Sequence, residues 1–147
     1  MAQPETLLKY SLFGGLLKEQ VEAIIPLMQE EKYNPDVFII TEGNPNDKIY
    51  FIIEGQVAVS KKNVELSRFG EGEAFGEMEV LDIVPAIASI KTISQVTVMS
   101  ISNKSLREIY KMDVKVFALI IMNLARDVCR RLCKTDEKLA SSTPIFL

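Results

Sequence analysis

The chain has no histidine, and only two of its 147 residues are cysteine. The first absence removes the commonest general base and with it the Ser-His-Asp type of triad. It also leaves any zinc site to be completed by carboxylates. Cys129 and Cys133 stand four apart in a stretch of helical periodicity, where a disulfide fits the geometry poorly. They are expected as two small apolar residues on a packed helix face. No apolar run approaches the roughly 20 residues of a membrane span. The opening Met-Ala-Gln-Pro-Glu lacks the basic and apolar regions of a secretory signal. Positive charge is not in excess, the net charge being −3, so nothing in the balance invites nucleic acid. Internal repeats and low-complexity tracts are absent too. What survives these exclusions is a cytoplasmic binding protein that is not an enzyme and has no metal centre, cofactor or membrane contact.

What is present fits a single domain, 1–147, long enough to bury a core. Residues 1–31 are expected to form leading helices. Leu16, Val21, Ile24, Ile25 and Met28 recur at helical spacing between Lys18, Glu19, Gln20 and Glu22. Gly14-Gly15 divides this zone, and Pro26 is placed to kink its second piece. From 32 to 101 the texture changes to short β-branched and aromatic runs: Val37 to Thr41, Ile49 to Glu54, Val57 to Ser60, Val64 to Phe69, Ala86 to Thr92 and Val96 to Ile101. Turn clusters at 42–47, 54–55 and 70–73 separate them. Many short strands at such spacing argue for an antiparallel β-roll of jelly-roll type, mainly β with flanking α. Ile49 to Ile53 is apolar at both parities and is expected to be covered on both faces. Closing helices follow over 102–140. Asn103 or Ser105 caps a short one through Tyr110, and Asp113 caps a long one reaching Lys138. The tail 141–147 has no evident anchor.

The segment richest in chemistry is Gly72-Glu73-Ala74-Phe75-Gly76-Glu77-Met78-Glu79-Val80-Leu81-Asp82. A strand-forming run ends in a glycine turn and opens into a short helix, whose first N–H groups lack intrahelical partners and suit an anion. Gly76 permits close approach of a ligand to the main chain. Glu77 is placed to accept hydrogen bonds from a ribose hydroxyl or from backbone amides. Standing alone, Phe-Gly-Glu is equally a plain helix start.

Several segments in order carry more weight than any one of them. Leu12-Phe13 with its following helix, Glu42-Gly43, Asp47 through Val57, Gly72 through Leu81 and the closing helices together resemble the cyclic-nucleotide-binding domain family. The resemblance runs from about Leu12 to Leu132 and implies a β-roll sensor flanked by helices that move with ligand. It implies a ligand site at Phe75, Gly76, Glu77, Met78 and Glu79, with Glu77 on the ribose and the backbone of 76–79 toward the cyclic phosphate. It also implies a phosphate-binding arginine nine residues after the glutamate, which is the position of Ala86, followed by a small residue where Ile87 stands.

Here the chain departs from its likeness. Val84-Pro85-Ala86-Ile87 offers no cation, and Glu79 replaces the small residue common next to the phosphate. Losing a hydrogen bond to a charged group costs about 1.5–3 kcal/mol, roughly a ten- to hundred-fold loss of affinity. Lys91, five residues from Ala86 on the same run, points to the opposite face. Arg68, Arg126 and Arg130 are the candidate substitutes. The expectation is therefore a regulatory module with a degenerate phosphate site and weak or no cAMP or cGMP binding. Its pocket holds some other small molecule or stays empty while a surface takes a protein partner. The rival is a working cyclic-nucleotide sensor using a substitute cation or backbone amides.

On the closing helix, Val114, Phe117, Ile121, Leu124, Val128 and Leu132 lie near a heptad stripe. The family resemblance implies pairing through this helix, so Val114, Phe117, Ile121, Leu124 and Val128 are expected as the seam of a homodimer, part of the stripe packing back on its own roll. Arg126, Arg130, Arg131 and Lys134 alternate with acids and are read as a solvated face. The stretch beyond Lys134 is too short for a helix-turn-helix, so direct DNA binding is not expected.

Overall fold

The computed structural model describes residues 3–142. Short helices lead: α1 (Pro4–Leu7), a 3-10 turn at Ser11–Phe13, α2 (Lys18–Ile24) and a second 3-10 turn at Ile25–Leu27. Pro26 sits in that last turn, so it ends the helix rather than kinking it. Eight strands follow: β1 (Gln29–Tyr33), β2 (Phe38–Ile40), β3 (Lys48–Glu54), β4 (Val57–Lys61), β5 (Val64–Phe69), β6 (Ala74–Phe75), β7 (Ser89–Thr92) and β8 (Val96–Ser102). Helix α3 (Glu77–Asp82) interrupts them after β6, and α4 (Asn103–Met112) and α5 (Val114–Ser142) close the chain.

All pairings are antiparallel and build two four-stranded sheets, β1-β8-β3-β6 and β2-β7-β4-β5. This is the β-roll with flanking helices. Period-two alternation in β3 and β8 divides the core. Ile49, Phe51, Met99 and Ile101 face a helix-side cluster with Phe13, Val21, Ile24, Ile109 and Ile120. Tyr50, Ile52, Val96 and Val98 face the roll interior with Ile40, Val57, Phe75 and Ile90. Phe13 meets Phe51 edge-to-face with centroids 5.5 Å apart, while Tyr50 stacks on Phe75 at 5.0 Å. The run at Ile49 to Ile52 is thus buried on both sides because it separates two cores.

Several boundaries differ from the sequence expectation. Residues 29–31, assigned to the leading helices, are strand. Gln29 to Tyr33 pair with Ser100 to Val96, a tertiary partner that local periodicity does not show. Residues 86–88 are not strand, since β7 begins at Ser89. Ser102, rather than Asn103 or Ser105, caps α4 by accepting from the Ser105 N–H at 3.0 Å. Asp113 caps α5 as expected, accepting from the N–H groups of Lys115 and Val116 at 3.0 and 3.3 Å. Ser141 and Ser142, assigned to the tail, belong to α5. Residues 143–147 lie outside the described residues.

The stripe on α5 also reads differently. Its buried residues are Val116, Ile120, Asn123 and Leu124. Phe117 and Ile121 pack against the same helix-side core. Of the expected dimer seam, Phe117, Ile121 and Leu124 are therefore spent within the chain and Val128 faces the cavity, while Val114 stays exposed. Cys129 and Cys133 are free and exposed, not on a packed face. Among the described residues no helix is long and apolar enough to cross a membrane.

Candidate functional site

The roll interior opens beside α3 into a cavity of about 510 Å³, within the range of small-molecule sites. Its walls are Val59 and Phe69 from β4 and β5, Phe75 to Glu79 from β6 and α3, Ile87 and Ala88 from the following loop, and Ile90 from β7. The distal part of α5 covers it through Val128, Arg131, Leu132 and Thr135. Those four recur at three- and four-residue steps, so one helix face supplies the lid.

Local geometry explains the cassette. Gly76 has φ +84°, and a Cβ there would stand 2.6 Å from the Lys48 carbonyl oxygen and 2.9 Å from Asn46 Nδ2. Glycine is required by the chain's own backbone crossing, besides any ligand. Asn46 fixes that crossing by donating to the carbonyls of Lys48 and Gly76 at 2.9 and 3.3 Å. The turn delivers Glu77 and Glu79 into the protein, only 5% and 7% exposed.

Two carboxylates so buried need partners. Glu77 Oε1 accepts from Arg131 Nη1 at 3.1 Å, while its Oε2 is buried with no hydrogen-bond partner. Arg131 also donates to the Ala74 carbonyl, and its guanidinium lies 4.1 Å from the Phe69 ring centroid. Burial pushes the Glu77 carboxyl above the ordinary carboxylate range, against the opposing pull of Arg131. Burial also raises Glu79, opposed by a backbone hydrogen bond to its carboxylate, with the nearby Glu77 charge adding to the rise and a hydrogen bond from Asn46 opposing it.

Of the seven residues singled out from sequence, Phe75, Gly76, Glu77, Met78, Glu79 and Ile87 line the cavity. Ala86 does not. It is 4% exposed, packs in the roll-interior cluster, and exchanges main-chain bonds with the loop at 43–44: its N–H donates to Asn44 O and its carbonyl accepts from Gly43 N, both at 2.8 Å.

None of the candidate substitute cations lines the cavity. Arg68 pairs with Glu65 at 3.1 Å, Arg126 donates to Asn123 Oδ1 at 3.3 Å, and Arg130 pairs with Asp127. Lys91 lies on the other face with Asp36 and Phe38. Arg131, assigned to a solvated face, is the guanidinium that enters. The step from Val128 through Arg131 and Leu132 to Thr135 was the signal available for it. Lys61 is a second unanticipated cation. It donates to the Ile87 carbonyl at 2.6 Å and faces Glu42 at 4.0 Å, and it is not among the cavity-lining residues.

Comparison with known proteins gives this geometry a setting. The family model described as "Cyclic nucleotide-binding domain" matches residues 30–113. The CRP-like cAMP-activated global transcriptional regulator of Mycobacterium tuberculosis is 27% identical over 141 residues, covering 92% of this chain and 61% of its own length. The chain thus spans about three-fifths of that relative. A cyclic nucleotide-binding domain from Methylobacillus flagellatus superposes with a TM-score of 0.86 at 24% identity, over 99% of this chain and 84% of that one. The regulatory subunit of a cAMP-independent protein kinase A from Trypanosoma cruzi, bound to guanosine, superposes with a TM-score of 0.65 at 22% identity, over 73% of this chain and 38% of that one.

Proposed function

The chain belongs to the cyclic nucleotide-binding domain family, and from that premise we propose that it is a regulatory ligand-sensing module with an altered phosphate site. It acts by binding rather than catalysis, takes cAMP and cGMP weakly or not at all, and holds an uncharged ligand instead. The observation that carries this is the charge of the cavity wall. Glu77, Glu79 and Arg131 are its ionisable side chains, and Arg131 is already committed to Glu77. A cyclic phosphodiester entering this space meets an added carboxylate and no free cation. The arginine position holds a methyl group packed in the core. The guanosine-bound trypanosomal neighbour supports a ligand without phosphate.

Arg131 also gives the rival reading its footing, because it brings a guanidinium to the cavity. A cyclic nucleotide that drew Arg131 off Glu77 would gain that cation, at the cost of leaving a buried carboxylate without its partner. Titration calorimetry of the protein with cAMP and with cGMP separates the two. The altered-site reading expects no micromolar binding, and a micromolar Kd for either nucleotide overturns it.

A further inference from the structure

The outer side of the α5 lid carries the chain's only two thiols. Cysteine is among the residue types most often buried, yet Cys129 and Cys133 are both free and exposed. The expectation of no metal centre rested in part on packing them away, and that packing is absent. Both lie within α5, four residues apart, and so are neighbours on one helix face. Arg131 is two residues from each of them, about 200° around the helix. The thiol pair therefore backs the turn that holds Arg131 against Glu77.

Helical neighbours at this spacing have Cβ atoms about 5–6 Å apart. A disulfide fits that gap poorly, whereas two metal–sulfur bonds of about 2.3 Å each can bridge it. Ligand number then selects the ion. Among the described residues no group of three or more histidine, cysteine, aspartate or glutamate side chains is placed to hold a metal. Zinc wants four ligands, and calcium and magnesium want oxygen. A soft monovalent ion is satisfied by two thiolates in line. Charge agrees with this. The singly negative complex would sit where Arg126, Arg130, Arg131 and Lys134 face one acid, Asp127, over residues 126–134. Cys133 Sγ already donates to Glu137 Oε1 at 3.9 Å, so a leaving proton has an acceptor.

We infer that Cys129 and Cys133 form a two-thiolate site for a soft monovalent cation, Cu(I), on the outer face of the lid. Each thiol gives up its proton and two S–Cu bonds form, with neither sulfur nor copper changing oxidation state. The Cys133 proton leaves by way of Glu137 and the Cys129 proton goes directly to solvent. The bridge ties residues 129–133 into one clamped helical turn and stiffens the segment that carries Arg131. The site does not depend on what the cavity holds.

The test titrates Cu(I), kept reduced under anaerobic conditions, into the full chain against the competing chromogenic chelator bicinchoninate. It compares the wild type with Cys129→Ser, Cys133→Ser and Glu137→Gln, and follows amide hydrogen exchange across 125–137. The inference expects the wild type to withdraw one Cu(I) per chain, both cysteine variants to lose that capacity and Glu137→Gln to keep it. Exchange should slow in the copper-loaded wild type and stay unchanged in the cysteine variants. Exposed positions tolerate such changes, and melting temperatures equal to that of the wild type confirm that the variants fold. No copper withdrawn by the wild type overturns the inference, as does retention by either cysteine variant. One ion per two chains overturns the single-helix site, and copper binding without slower exchange overturns the clamp.

Discussion

The two parts of α5 follow different rules. Up to Leu124 the helix is held as core: Val116, Ile120 and Leu124 are at most 1% exposed, and Asn123 donates its amide to the carbonyls of Leu12 and Gly14 at 3.0 and 2.9 Å. Beyond Leu124 no residue of the helix is buried, and the contacts with the roll gather around Arg131 and the cavity. The first part is fixed by apolar area and satisfied amides. The second is fixed by polar contacts: Arg131 pairs with Glu77, donates to the Ala74 carbonyl and lies over the Phe69 ring, and the Ser11 hydroxyl donates to Asp127. A ligand can shift an equilibrium only through contacts that differ between its states. The distal part is where α5 meets the cavity.

Substitutions that treat the two parts alike test this contrast. Ile120→Ala is expected to cost about 2–5 kcal/mol of stability by leaving a cavity in the helix-side core. Leu132→Ala, at a position 60% exposed, is expected to stay within about 0.5 kcal/mol. Thermal unfolding of both variants reads the difference, and equal losses would erase the distinction.

Arg131→Ala sharpens the comparison with a smaller effect that depends on pH. It leaves Glu77 buried without a cation, at a cost of about 2 kcal/mol near pH 7.5. The sign follows from protonation. The folded-state pKa of Glu77 already lies above its unfolded value, and loss of Arg131 lifts it further. A carboxyl so raised favours folding at low pH, and that contribution is lost as pH rises through the folded value. The deficit of the variant should therefore shrink as pH falls toward the ordinary carboxylate range. Melting temperatures at a series of pH values check this, and a deficit that grows on acidification would contradict it.

The same contrast marks what could be read from sequence. Strands β3, β4, β5 and β8 were legible because β-branched runs bounded by glycine turns carry their own signal. The both-sided burial of Ile49 to Ile52 followed from apolar residues at both parities. Strand β1 was not legible: Gln29-Glu30-Glu31-Lys32 has no apolar alternation and continues a helical segment, and its identity comes from pairing with β8. The cassette from Phe75 to Glu79 was legible as an ordered motif. The role of Arg131 was not, because Arg126, Arg130 and Arg131 look alike in one dimension. Only the helix phase, set by how the proximal part packs, turns Arg131 rather than Arg130 toward Glu77. The burial of Ala86 was hidden for a similar reason, since its main-chain partners at 43 and 44 lie some forty residues away.

The claim beneath all of this is that the cavity has given up its phosphate cation and that the position of Ala86 is where it is missing. Calorimetric titration of cAMP into the wild type and into Ala86→Arg tests it most directly. The account predicts no micromolar binding by the wild type and a gain of roughly ten-fold or more on restoring the arginine. Micromolar binding by the wild type, unchanged by the substitution, would contradict it.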